Sequence, residues 1–274
     1  MTQLHGRRLG KPWGQPALLA HCFLSHGGIW ARLIAALPAP LDALAPDLPG
    51  HGKSPMPADP GDFHALVAGA IGGLVTRPSL LIGHSFGAAS LLRHALHHPA
   101  QATGLVLIEP GLFAIARDEP EHAPYLAQEA PMHAAVQGGD LAQAARHFLA
   151  LNPGSPDYDA LAEPVQMAMA AQMLLVVACV AGLHEDSGGL LAPGLMEGFD
   201  VPVLLMVGSE TTPIFHAMVR ALARRLPRAE IAVIAGAGHM VPASHPREAA
   251  AAIQGWMQRT GQGHQAATEN PRVG

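Results

Sequence analysis

The stretch LLIGHSFGAASLL, Leu80 to Leu92, decides the fold. A short apolar run ends at Gly83, a serine follows two positions later, and a helical pattern begins at Phe86 with no linker between. A serine in so tight a strand-to-helix turn sits in a strained backbone. Glycines two positions before and after it, Gly83 and Gly87, remove the Cβ atoms that would collide with the neighbouring strand and helix. The turn presents Ser85 Oγ at the end of the strand. The helix N-terminus sets the Phe86 N–H and the positive end of its dipole beside that oxygen. Small-residue turns of this form are common, and it is the strand before and the helix after that distinguish this one.

Outward from this turn, short apolar runs bounded by Gly, Pro or Asp alternate with longer helical patterns, as in βαβ units on a parallel sheet. Strands are predicted at 17–20, 41–45, 79–82, 104–108, 201–207 and 229–234, and helices at 29–37, 63–75, 86–97, 214–226 and 246–257. The expectation is an α/β protein with a mostly parallel, doubly wound sheet. Residues 111–199 break the alternation. They are helical in composition, clearest at 141–149 and 165–181, and form an insertion after the strand that follows the Ser85 helix. The division expected is a core of 1–110 and 200–260, a helical cap of 111–199, and a polar, disordered tail of 261–274.

Composition narrows the function classes. The chain has 274 residues, enough to bury a core without staples. Its net charge is −5 and no basic run of five occurs, so no nucleic-acid partner is expected. Only two cysteines, Cys22 and Cys179, are present, which suits a reducing, cytoplasmic location rather than a disulfide framework. Residues 1–14 lack the apolar run of a secretory signal. The uncharged stretch 164–183 is interrupted by Gln166 and Gln172, and reads as a buried helix, not a membrane span. No GxGxxG strand-to-helix fingerprint, GxxxxGK[ST] or HExxH occurs, so no cofactor and no metal is implied.

A serine hydroxyl needs a base. His239, in GAGHM (236–240), follows the last predicted strand, which is the chain order serine then histidine. Seventeen histidines are present, and most have blander readings. His94, His97 and His98 fall late in the Ser85 helix, where the dipole favours imidazolium. His245, in a proline turn, is the one rival base.

With these motifs in place the chain resembles the α/β-hydrolase superfamily over 17–257. GHSFG matches the nucleophile elbow, APDLPGHGKS (45–54) is similar to the turn after an early strand, and LLAHCFLSHGGIW (18–30) looks like the oxyanion-hole segment. The usual His-Gly pair there is His21-Cys22 in this chain. The resemblance implies an oxyanion hole built from the backbone N–H groups of Phe23 and Phe86, such donors being worth about 10²–10³ each in rate. Cys22 itself lies in no elbow, and reads as a small buried residue rather than a nucleophile. The third member of the triad is open between two carboxylates. Many members carry Asp after the strand at 201–207, where this chain reads GSETTP (208–213), with Glu210 and no Asp. Some take their acid from the end of the preceding strand, where this chain has Glu109 in LIEPG (107–111). An acid that must hold the histidine from a fixed distance is better placed on a strand end, which favours Glu109, with Glu210 as the alternative.

Serine, histidine and an acid perform acyl transfer through an acyl-enzyme. The expected activity is hydrolysis of an ester, thioester or lactone of a small to medium, largely apolar molecule, with a small-molecule substrate as the partner. An acyltransferase or perhydrolase using the same intermediate, and a non-catalytic ligand-binding member, are the competing readings. Met167, Met169, Met173, Leu174, Leu175 and Met196 predict an apolar pocket wall with no clamp for a phosphate or carboxylate. Oligomeric state is not encoded in these patterns.

Overall fold

The computed structural model describes residues 3–262. Seven strands, β1 (Gly6–Gly10), β2 (Gln15–Ala20), β3 (Leu41–Pro46), β4 (Ser79–His84), β5 (Ala102–Ile108), β6 (Val203–Gly208) and β7 (Ala229–Ile234), form one sheet. Their order is β1-β3-β2-β4-β5-β6-β7, with β1 antiparallel to β3 and every other pair parallel. A parallel sheet covered on both faces has no solvated side, which is why β4 and β6 are buried at every position.

The helices divide between the two faces. Those of the core are α1 (Ala31–Ala36), α2 (Phe63–Gly72) and α3 (Phe86–His97). Between β5 and β6 come α4 (His122–Gln137), α5 (Leu141–Ala150), α6 (Glu163–Val177) and α7 (Val180–Leu183). After them follow α8 (Pro213–Arg225), α9 (Val241–Ser244) and α10 (Pro246–Thr260). Strand β2 shows the division. Leu18 and Ala20 join the cluster with α2, α3 and α8, while Ala17 and Leu19 join the one with α1 and α10, as the two-residue period of a strand requires. The helices of 111–199 pack into the first cluster through Tyr125, Met132, Ala145, Leu149 and Met173. Asp62 and Asp140 cap α2 and α5 by accepting from Ala65 N and Gln143 N.

Three local expectations differ from the structure. Strand β1 is absent from the sequence prediction, because GRRLG is a half-exposed edge with a single apolar side chain, Leu9. Helix α4 also went unpredicted: Pro131 lies inside it and its apolar residues follow no stripe. The helix expected at 165–181 is instead α6 and α7, broken at Ala178 and Cys179. Among the described residues no helix is long and apolar enough to cross a membrane. The tail expectation for 261–274 falls, past residue 262, outside the described residues.

Candidate active site

Ser85 stands between β4 and α3 with φ 53° and ψ −115°, a left-handed conformation that L side chains rarely adopt. Such strain is worth about 1–3 kcal/mol and persists only where the surroundings impose it. Here the end of β5 does so: Ser85 N donates to Ile108 O at 2.8 Å, and Ser85 O accepts from Gly111 N at 3.2 Å. The two flanking glycines have steric reasons. A Cβ on Gly87 would lie 2.3 Å from Ala20 O, and one on Gly83 would lie 2.4 Å from Ala88 Cα, both backbone atoms that cannot swing away.

Glu109 follows β5 directly and also has positive φ, 50°. Its N–H donates to Met206 O at 2.8 Å, extending the β5–β6 pairing by one bond and aiming the side chain across the end of β6. There the carboxylate is fully buried and accepts three hydrogen bonds: from Gly208 N at 2.6 Å, from Thr211 Oγ1 at 2.8 Å, and from His239 Nδ1 at 3.1 Å. With Nδ1 donating to Glu109, the His239 ring keeps its Nε2 lone pair for a hydroxyl. His239 is itself held on three sides. Its N–H donates to Pro153 O at 2.7 Å, its carbonyl accepts from His84 Nε2 at 2.9 Å, and its ring packs 4.4 Å from that of Phe215. Glu210, by contrast, is exposed, with its carboxylate on Ser209 Oγ. His245 is half-buried, and its Nδ1 is hydrogen-bonded to Ser244 Oγ.

Burial governs the protonation of this pair. It pushes His239 down to about 3, so the imidazole is the neutral base form at neutral pH. Burial pushes Glu109 up to about 8, opposed by its bonds from Gly208 N–H and the Thr211 hydroxyl. The two groups face each other across 3.1 Å.

The segment after β2 forms the next wall. The Phe23 ring stacks on Phe86 at 4.1 Å between centroids and 13° between planes, which sets the two residues side by side next to Ser85. The Phe86 N–H belongs to the first turn of α3, whose N–H groups have no acceptor within the helix. His21 is fully buried, accepts from Leu48 N at 2.9 Å through Nε2 and donates through Nδ1 to Cys22 O at 2.7 Å, tying the segment to the turn after β3. The following residue, Leu24, has φ 56°. Cys22 is buried and unpaired, and burial pushes its thiol up to about 12, so it holds its proton and is no nucleophile.

Ser85 lines a narrow cavity of about 30 Å³. Five of the seven phenylalanines, Phe23, Phe86, Phe113, Phe148 and Phe215, line it. The aromatic poverty of the chain is thus concentrated at one place. The expectation for the insertion's wall is corrected in two ways. None of Met167, Met169, Met173, Leu174, Leu175 and Met196 reaches the cavity: Met173, Leu175 and Met196 are core, and Met167 and Leu174 face solvent. The insertion contributes Val176, Val180 and Leu183 instead, because the break after α6 turns a different face inward. It also contributes a polar group, Tyr125, Glu129, His133 and His184, which composition gave no reason to expect. Among the described residues no three His, Cys, Asp or Glu side chains are grouped to hold a metal ion.

The alpha/beta hydrolase family model matches residues 17–253. The chain belongs to the alpha/beta hydrolase family. Among curated relatives of this family, a lipase, LipV, of Mycobacterium tuberculosis is 37% identical over 116 residues, 41% of this chain and 43% of that protein. A pimeloyl-acyl-carrier-protein methyl ester esterase of Neisseria meningitidis is 28% identical over 264 residues, 92% of this chain and 81% of that one. Among solved structures, a thermophilic esterase from Thermogutta terrifontis superposes with a TM-score of 0.70 at 22% identity, over 94% of this chain and 93% of that one. At that identity the likeness speaks for the alpha/beta hydrolase fold alone.

Proposed function

We propose that this alpha/beta hydrolase is a serine carboxylic ester hydrolase, with Ser85 as nucleophile, His239 as general base and Glu109 as the acid that orients it. The observation that carries this reading is the strained Ser85 in the lining of an aromatic cavity, together with a buried carboxylate on Nδ1 of His239, whose ring packs on the cavity residue Phe215. The names of the two curated relatives, a lipase and a methyl ester esterase, support the ester as the bond cleaved.

His239 Nε2 takes the Ser85 proton as Oγ attacks the ester carbonyl. The tetrahedral oxyanion is held by the Phe23 and Phe86 N–H groups, two donors aimed where charge develops. His239 returns the proton to the leaving alcohol. It then deprotonates the water that attacks the acyl-enzyme, and the carboxylic acid and free Ser85 are released. In the reactive form Glu109 is ionised and compensates the imidazolium formed in each half. The aromatic and aliphatic lining of the cavity suits an ester with an apolar body. We assign 111–199 as a cap over a core of 1–110 and 200–260, since its helices contribute one wall of the cavity and the core the other. Two buried, unpaired cysteines favour a cytoplasmic site of action.

Initial rates on p-nitrophenyl butyrate for the parent and for Ser85→Ala test the reading. A fall of at least about 10³-fold in kcat, with an unchanged circular dichroism spectrum, is expected. A variant as fast as the parent would overturn it.

A further inference from the structure

The Glu109 carboxylate shows what a satisfied buried acid looks like in this fold, with three donors at 3.1 Å or less. Glu129, on α4, is the opposite case. It is 6% exposed and lines the same cavity as Ser85, yet its contacts are all long. Tyr125 OH donates to Oε1 at 3.4 Å, His184 Nε2 lies 3.6 Å from Oε1, and His133 Nε2 lies 3.6 Å from Oε2. Among the described residues no lysine or arginine pairs with it and no backbone N–H donates to it. A carboxylate withdrawn from water without short hydrogen bonds is strongly disfavoured unless something in the cavity supplies a donor. The neighbours are held in order around the Glu129 carboxylate. Phe113 stacks on His184 at 4.4 Å on one side and on Tyr125 at 4.8 Å on the other, fixing both rings against the acid. Burial lowers His184, which keeps that imidazole neutral, and raises the Tyr125 phenol, which keeps it a donor.

We propose that Glu129 is the specificity-determining residue of the cavity, accepting a hydrogen bond from a hydroxyl or ammonium group carried by the ester substrate on the part remote from the scissile bond. The proposal rests on the ester-hydrolase reading of Ser85. Five phenylalanines make most of the remaining lining apolar, so the site reads an apolar body that carries a donor. A substrate with a carboxylate at the tip meets Glu129 as a like charge and is rejected. A plain alkyl ester leaves Glu129 unpaired and binds less well than one with a donor, because a site built to accept a hydrogen bond discriminates against the analogue lacking it.

The test uses four methyl esters of similar length: heptanoate, ω-hydroxyhexanoate, ω-aminohexanoate and the monoester of adipic acid. The parent is expected to show kcat/KM at least about 10-fold higher for the hydroxy or amino ester than for heptanoate, with the adipate monoester slowest of all. Glu129→Leu should bring the donor-to-heptanoate ratio to one or below. Glu129→Gln, which keeps size and one acceptor oxygen, should retain a preference for the hydroxyl but lose any preference for the ammonium, and so separates the two donors. Binding of the same esters to Ser85→Ala, followed by calorimetry, reads the subsite without catalysis and should give the same order. If the parent cleaves no ester while Ser85→Ala still binds the donor esters at least 10-fold tighter than heptanoate, the hydrolase reading fails and the subsite stands. If the parent cleaves all four without preference, or the ratios survive in Glu129→Leu and Glu129→Gln, the subsite is overturned and the hydrolase reading is untouched.

Discussion

Glu109 Oε2 lies 3.1 Å from His239 Nδ1, although the two residues are 130 positions apart and leave the ends of different strands. The contact exists because β5 and β6 are neighbours in the sheet: the Glu109 backbone continues their ladder, and its carboxylate lands on Gly208 N–H and the Thr211 hydroxyl at the end of β6. The loop that carries Glu210 supplies the Thr211 donor to the Glu109 carboxylate, while Glu210 itself stays exposed. Replacing Glu109 by Gln should lower kcat/KM by about 10²–10⁴, through loss of the Nδ1–H tautomer. Glu210→Gln, which alters only an exposed contact to Ser209, should leave kcat/KM within about twofold. Steady-state rates on one activated ester decide between them.

The pH profile follows from the same pair. Catalysis needs neutral His239 and ionised Glu109, and burial moves these groups apart, His239 down to about 3 and Glu109 up to about 8. The rate should rise with pH, with an apparent midpoint above the ordinary carboxylate value of 4.5 and toward 8. For stability the sign is separate. An acid whose pKa is raised on folding binds more protons folded than unfolded, so it destabilises the fold as pH rises from 4.5 to 8. The Tm of Glu109→Gln relative to the parent should therefore increase between pH 5 and pH 8. A flat rate profile, or a difference in Tm that shrinks with pH, would contradict the assignment.

His21 ties the segment after β2, which carries the proposed oxyanion donor Phe23, to the turn after β3. His21→Phe removes the acceptor for Leu48 N–H and the donor to Cys22 O, at a cost of about 1–3 kcal/mol for each buried group left unpaired. Released from this tie, the Phe23 N–H should drift from its position near Ser85. The expected result is a fall in kcat of about 10-fold or more with KM changed much less, since the lost interaction is made in the transition state. An equal effect on KM alone would place His21 in substrate binding instead.

Two glycine substitutions should have opposite signs. Gly87→Ala sets a Cβ 2.3 Å from Ala20 O and should destabilise by about 1–3 kcal/mol, roughly 2–4 °C in Tm per kcal/mol for a chain of this size. Gly69→Ala, within α2 and with no atom inside 4 Å of the added carbon, should stabilise by about 0.5–1 kcal/mol from helix propensity. Thermal melts of the two variants check both.

Much of the fold was legible because its signals are local. Six of the seven strands are apolar runs between breakers, and β7 and α3 have the limits that their sequence patterns predict. What stayed hidden depends on which elements become neighbours. The choice between Glu109 and Glu210 turns on the β5–β6 pairing, and spacing cannot express that. The uncharged stretch 165–181 has no apolar stripe to say which side faces Ser85, and in the fold Val176 and Val180 line the cavity while Met167 faces solvent. Nothing in the sequence around Glu129 says that Tyr125, His133 and His184 converge there. His21 was read as part of a motif, and its bond to Leu48 was a contact only the folded chain could show.

The central claim, that Ser85 is an activated nucleophile, is tested most directly by incubating the protein with an alkyl fluorophosphonate and measuring intact mass, followed by peptide mapping. One phosphonyl adduct per chain, on the peptide containing Ser85 and absent from both Ser85→Ala and His239→Ala, is the predicted result. No adduct on the folded parent protein, or an adduct mapped elsewhere, would contradict it.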